Sequence, residues 1–203
     1  MKLYYSRGSC SLSPDIALRE AGLPVELVKV DLRTKRTETD EDFLAINSKG
    51  YVPTLELDDG QRLTEGPAIL QYVADKVPAS GLAPAAGTLE RYRMLEWLNF
   101  ITSELHKQFS PLFDPSVDDA RKARQREKVE GRLAWLSQQL GERDYLMANK
   151  FSVVDAYLFT VLSWSRHVGI DVSKWPNLAR YLDRVAARPK VQEAMRAEGL
   201  LKS

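Results

Sequence analysis

A chain of 203 residues, 44% hydrophobic and 28% charged, is long enough for one domain or two small ones with a sizeable core. Its 29 basic and 28 acidic side chains leave a net charge of +1, with no basic excess for nucleic acid, and the run 121–128 mixes its cations with acids as the solvated side of a helix does. One cysteine excludes an internal disulfide and a cysteine-rich zinc site, two histidines offer little to a metal, and no apolar run approaches the ~20 residues of a membrane span.

The amino terminus lacks the apolar core and cleavage site of a signal peptide, so the expectation is a soluble cytoplasmic protein without metal, membrane or nucleic-acid partner. In chain order, 2–6 (KLYYS) is a short aromatic strand. Residues 13–22 read as a helix, with a Ser before Pro at its start and Gly22 at its end. Residues 25–32 (VELVKVDL) form a strand and 40–50 a short helix closed near Gly50. Residues 54–57 and 61–65 form a hairpin around the Asp-Gly turn at 58–60, and 67–77 is helical again. The order β-α-β-α-β-β-α fits a small α/β layer on a mixed sheet.

The Pro-, Gly- and Ala-rich stretch 77–88 breaks both helix and strand patterns and reads as a linker. The domains are therefore 1–77, a linker 78–88, and 89–203. Beyond the linker, helical patterns run over 89–113 (ending near Ser110-Pro111), 118–142, 151–169, 175–189 and 190–199, an all-α bundle. The apolar stretch 151–169 is its central helix, started by a capping-box variant of Ser152 and Asp155 within 149–159.

Three places carry candidate chemistry. Cys10, in "SRGSCSLSPD", sits at a strand-to-helix turn, where peptide dipoles and unpaired N–H groups lower a thiol's pKa; as a residue type it is equally a small buried hydrophobe. No second cysteine follows it, so any redox chemistry borrows a thiol from a small molecule. Val52-Pro53 opens a strand, and a cis bond there turns the Val52 backbone toward an extended ligand, although trans is the default. Glu65 and Gly66 precede a helix with Pro67 in its first turn, a match to an ammonium and a carboxylate, or a plain helix start with a surface acid. Asn99, Ser103 and His106 are spaced i, i+4, i+7 and fall within about 60° on one α-helical face, either a solvated stripe or a set of donors lining an interdomain cleft.

These pieces together resemble the cytosolic glutathione S-transferases. The stretches "MKLYYSRGSCSLSPDIALREAG", "KGYVPTLELDDGQRLTEGPAI" and "EWLNFITSELHKQFSPLF" are similar to the bacterial beta class, over nearly the whole chain. The resemblance implies an α/β thioredoxin-like N-terminal domain that binds glutathione, an all-α helical C-terminal domain with an electrophile pocket, and a homodimer. It implies that Cys10 lies next to the glutathione sulfur and that His106 faces that sulfur from the helical domain. Lys35 corresponds to the side chain at the glycine end, Val52, before Pro53, to the residue whose backbone pairs with the cysteinyl part, and Glu65 and Gly66 to the holders of the γ-glutamyl head. Asn99, Ser103, Glu104, Leu105 and His106 match the ligand-facing helix, with Asn99 acting across the dimer interface. Many transferases have Ser where this chain has Gly66, so one hydroxyl contact is missing here.

The implied activity is conjugation of reduced glutathione, a co-substrate rather than a resident cofactor, to small hydrophobic electrophiles. Two alternatives stand beside it: a monothiol, glutathione-dependent oxidoreductase or dehalogenase with Cys10 as nucleophile, and a ligand carrier without turnover.

Overall fold

The computed structural model describes residues 1–148 and 150–201. Asn149, the first residue of the 149–159 stretch, and Lys202 and Ser203, the end of the expected second domain, lie outside the described residues. The chain divides into two compact units, Met1–Ala83 with Ala187–Ser203, and Pro84–Ala186.

The first unit is built on a five-stranded sheet in the order β3-β2-β1-β4-β5. Its strands are β1 (Lys2–Tyr5), β2 (Glu26–Asp31), β3 (Arg36–Thr37), β4 (Thr54–Glu56) and β5 (Arg62–Thr64), with helices α1 (Leu12–Glu20), α2 (Phe43–Ile46) and α3 (Gly66–Lys76) between and after them. β1 is central, parallel to β2 and antiparallel to β4 in a register that sets Tyr4 opposite Thr54. Alternation along β1 sends Tyr4 to a cluster with Val28, Val30, Phe43 and Val52, while Leu3, wholly buried, lies on the opposite face. α1 and α3 pack together.

The strand β3 is absent from the pattern read in the sequence. Two residues, Arg and Thr, are too few to show alternation, and only pairing with β2 defines them. α2 is four residues rather than the eleven of 40–50: Asp42 caps its start by accepting from Leu44 N–H, and the chain is already extended at Asn47. Residues 187–203 group with the first unit instead of the helical one, because α9 (Pro189–Ala197) packs on α1 and Arg188 makes a two-pronged ion pair with Glu20.

The second unit contains α4 (Leu89–Phe100), α5 (Lys107–Phe113), α6 (Asp119–Leu140), α7 (Val153–Ser163) and α8 (Pro176–Ala186). α7 is buried from Val153 to Leu162, as its all-round apolar sequence requires. A 3-10 turn, Trp164–His167, replaces the last part of the expected helix 151–169. The continuous α-helix expected over 89–113 is also interrupted: Ile101–His106 forms a π-helical segment, and Pro111 lies inside α5 rather than ending it. Thr102 and Ser103 hydroxyls donate to the carbonyls of Leu98 and Asn99, so side chains compete for acceptors just where the ladder widens. A thioredoxin-like layer and an all-helical unit are the fold class that the resemblance implies.

At the start of α7 the Asp155 carboxylate accepts from the N–H groups of Ser152 and Leu146 and from the hydroxyls of Ser152 and Tyr181, all within 3.1 Å. Burial nonetheless pushes its carboxyl up to about 6. Asp155→Ala strands several buried donors at about 1–3 kcal/mol each, so urea unfolding is expected to show a loss of roughly 2–4 kcal/mol. A loss below about 1 kcal/mol would remove Asp155 from the framework of the unit.

Candidate functional site

In the first unit the site grows from the register of β1 and β4. Because Tyr4 pairs with Thr54, the chain leaving β1 passes beside the chain entering β4. The outgoing loop is a series of tight turns: Ser9 N–H bonds Ser6 C=O, Leu12 N–H bonds Ser9 C=O, and Ser13 N–H and hydroxyl both bond Cys10 C=O. Gly8 supplies the left-handed residue at φ +67°. Ser9 and Ser11 hydroxyls bond one another, and Ser11 also bonds the backbone of Ser6, so these serines fasten the loop. The helix starts one residue earlier than Ser13-Pro14 suggests, at Leu12, with Ser11 preceding it.

Cys10 is half-buried and its Sγ donates to the carbonyl oxygen of Val52 at 3.3 Å. The Val52-Pro53 bond is cis, not the default trans. Val52 points its side chain into the core, and its N–H bonds nothing among the described residues. The preceding loop is tied down on both sides. Lys35, in the left-handed region at φ 58°, donates from Nζ to Gly50 O at 2.9 Å and lies over the Tyr51 ring. Asn47 donates to Tyr51 O and Thr54 Oγ1.

Glu65 has φ 68°, an unusual conformation for a residue with a Cβ and one that recurs at ligand sites. Its carbonyl accepts from Ala68 and Ile69 and so begins α3, while its exposed carboxylate meets Lys49 Nζ at 2.6 Å. Lys49 also donates to Thr64. The Gly66 N–H opens α3 without a partner among the described residues, and a Cβ on Gly66 would meet nothing within 4 Å. The first unit therefore joins Cys10 and Val52 directly, with Lys35 bonded to Gly50, two residues upstream of Val52, and Glu65 one residue beyond Thr64, the β5 partner of Thr54.

The second unit separates the stripe read from the sequence. Asn99 and Ser103 are exposed and bond their own helix, at Leu95 O and Asn99 O. The π segment rotates His106 off that face, so α-helical angles do not carry past residue 101. Leu105 is wholly buried core, and Glu104 pairs with Arg132 at 2.8 Å on a cleft of about 440 Å³ that Gln108, Glu127 and Lys128 also line. His106 is half-buried: Nδ1 is 2.7 Å from the Tyr157 hydroxyl, and the ring meets Trp164 edge-on at 4.9 Å. Phe109 and Phe113 complete the aromatic cluster around Trp164.

Burial, and secondarily the charge of Lys107, lowers the His106 pKa to about 4. At neutral pH the ring is uncharged, a hydrogen-bonding group held through Nδ1 by the Tyr157 hydroxyl. Sequence reasoning missed Lys49 and Tyr157. A lone Lys in a loop carries no pattern; a Tyr inside an otherwise apolar helix does, since its buried hydroxyl has to find a partner. Among the described residues no group of three His, Cys, Asp or Glu is placed to hold a metal, and no helix is long and apolar enough to cross a membrane.

Comparison with known proteins places the whole chain in one family. Residues 8–76 match the family described as "Glutathione S-transferase, N-terminal domain" and residues 100–189 the one described as "Glutathione S-transferase, C-terminal domain". The chain is 45% identical over 200 residues to the glutathione S-transferase GstA of Escherichia coli O157:H7, covering 98% of this chain and 100% of that protein. Among solved structures it is similar to a sphingomonad glutathione S-transferase complexed with glutathione, at 53% identity and TM-score 0.95 over 99% of this chain and 100% of that one. A bacterial beta-class enzyme of Sphingomonas chungbukensis is 50% identical at TM-score 0.96, again over 99% of this chain and 100% of the other.

The neutral His106 is directly measurable. In a His167→Gln variant the one remaining histidine is expected to titrate by NMR with a midpoint below pH 5, and a midpoint near 6.5 would contradict its burial against Tyr157 and Trp164. The sign for stability follows: between pH 6.5 and about 4 the unfolded chain binds a proton that the folded one refuses, so this group withdraws stability as the pH falls through that window.

Proposed function

The chain belongs to the glutathione S-transferase family, and on that premise we propose that it conjugates reduced glutathione to small hydrophobic electrophiles through the site that Cys10 and Val52 begin. The observation that carries the reading is the thiol-to-carbonyl contact between Cys10 and Val52, with a Val52 N–H beside it that is unpaired among the described residues. An extended peptide offers a C=O to that N–H, as a strand does at a sheet edge, and this pairing brings a cysteinyl side chain toward residue 10.

The remaining roles follow from charge. The γ-glutamyl ammonium meets the Glu65 carboxylate, sharing it with Lys49, and the α-carboxylate meets the Gly66 N–H at the start of α3. Lys35 supplies a cation for the glycine carboxylate beside Gly50. The glutathione thiol releases its proton to water, and the thiolate is stabilised by the peptide dipoles at the amino terminus of α1 and by the Cys10 S–H, which turns from the Val52 carbonyl to the bound sulfur; His106 is carried as facing that sulfur on resemblance alone. The thiolate sulfur then bonds the electrophilic carbon as the leaving group departs with its electron pair, or as the electrons move into a conjugated acceptor. Cys10 remains a hydrogen-bond partner in this scheme. Asn99, Ser103 and Glu104 are carried as ligand-facing on resemblance alone, and Leu105 as packing behind them. The homodimer is likewise carried over, with light scattering at twice the chain mass as its check.

Calorimetric titration with reduced glutathione tests the site. The wild type is expected to bind, and Glu65→Gln to weaken binding at least tenfold, because the ammonium loses its counter-charge. Gly66→Ser, which has room for its side chain, restores a hydroxyl and is expected to tighten binding roughly 2- to 10-fold, the worth of one hydrogen bond. No heat with the wild type at millimolar glutathione would overturn the reading.

A further inference from the structure

Two acids lie buried where α9 meets α1, and the scheme above uses neither. Asp15 is 0% exposed and Glu198, which caps the C-terminus of α9, is 4% exposed. Each has one oxygen with a partner: Asp15 Oδ1 accepts from Arg19 Nε at 2.8 Å, and Glu198 Oε2 accepts from Gly8 N–H at 2.7 Å. Each also has one buried oxygen with none, Asp15 Oδ2 and Glu198 Oε1. Ionised, both would hold a buried charge with an acceptor left without a donor; a proton on one of them removes one of the two buried charges.

The same residues grip the loop that carries Cys10. Besides the Gly8–Glu198 bond, the Arg7 guanidinium donates to Gly199 O. Leu200 lies 3.3 Å from where a Cβ on Gly8 would stand. Cys10 follows two residues later. We propose that one of the two buried carboxyls, that of Glu198, keeps its proton at neutral pH, and that Glu198 in this protonated form is a positioning residue for the Cys10 loop.

The charged groups facing the pair agree with this. Burial first, and the Asp15 charge after it, raise the Glu198 carboxyl to about 8, against the lowering pull of the Gly8 bond and of Arg19. Burial also raises Asp15, but Arg19 opposes that by charge and by hydrogen bond, so the proton resides on Glu198. Tyr5, on β1, is raised as well, by its own burial and then by the charges of Glu198, Glu38 and Asp15, and stays neutral here. Arg7 keeps its guanidinium on a backbone carbonyl, and no cation other than Arg19 meets either carboxylate among the described residues.

The sign for stability is definite. Between about pH 4.5 and 8 the folded chain keeps a proton that the unfolded chain has lost, so the pair withdraws stability as the pH rises across that window, by about tenfold in the folding equilibrium per pH unit. Glu198→Gln carries a permanently neutral amide whose oxygen accepts from Gly8 N–H as the carboxyl does. Asp15→Asn removes the neighbouring charge, the lesser of the two causes that raise Glu198.

The experiment measures urea unfolding of the wild type, Glu198→Gln and Asp15→Asn from pH 5 to 9, without glutathione. It then measures the pH profile of conjugation for the wild type, Glu198→Gln and Glu198→Ala. Relative to Glu198→Gln the wild type is expected to lose stability steadily between pH 5 and 8, and relative to Asp15→Asn over the upper part of that window. Its kcat/KM is expected to fall above a midpoint near 8, a limb absent in Glu198→Gln; Glu198→Ala is expected to raise KM for glutathione at every pH, and Glu198→Gln to rescue it. Parallel stability curves for the wild type and both variants would overturn the retained proton, and a wild-type profile unchanged in Glu198→Gln would overturn the positioning role. The kinetic arm rests on the proposed function; the unfolding arm does not, so failure of the glutathione reading leaves the proton still measurable. If one isosteric variant does not fold, the other alone decides.

Discussion

The register of one antiparallel pair governs the first unit's chemistry. With Tyr4 opposite Thr54, the only thiol of the chain and the carbonyl of Val52 have to meet just beyond the ends of their strands, and they do so at 3.3 Å. Slipping β1 against β4 by one residue would turn Leu3 and Tyr4 to the wrong faces, so the hydrophobic core itself protects the alignment of the site. Lys35, Asn47 and the turns between Ser6 and Ser13 then hold the two loops as fixed as the strands they leave. Function and core packing share one constraint here.

Electrostatics divides the two units differently. Around the first unit's loops the charges are exposed and balanced, as in the Lys49–Glu65 pair, so an incoming zwitterion exchanges partners rather than meeting a bare charge. In the second unit His106 is kept neutral by its aromatic surroundings, and its contribution to any bound anion is that of a dipole. An imidazolium there would cost more than its attraction returns. Thiolate stabilisation in the proposed reaction therefore falls to neutral donors and the α1 terminus, an arrangement that also leaves the site usable for uncharged electrophiles.

Much of this was legible in the residues. The alternation at β1, the Asp-Gly turn and the all-round apolar α7 each follow from one strong local pattern, and Cys10 stands out because nothing else in the chain is a thiol. The illegible parts share a cause: they are decided by contacts distant in sequence or by a backbone choice with no residue signature. β3 exists only through β2, and residues 187–203 join the first unit only because α9 finds α1. The π segment turns a face calculated for an α-helix away from itself, which separates His106 from Asn99 and Ser103. Lys49, 16 residues from Glu65, is found by no spacing rule.

The central claim is that a glutathione sulfur bound beside residue 10 ionises more easily than in water. Ultraviolet difference titration of the saturated complex, with the ligand-free protein subtracted, reads that thiolate directly. The account predicts absorbance rising with a midpoint about two units below the ~8.5 of a free thiol. A midpoint equal to that of free glutathione, with binding intact, would contradict it.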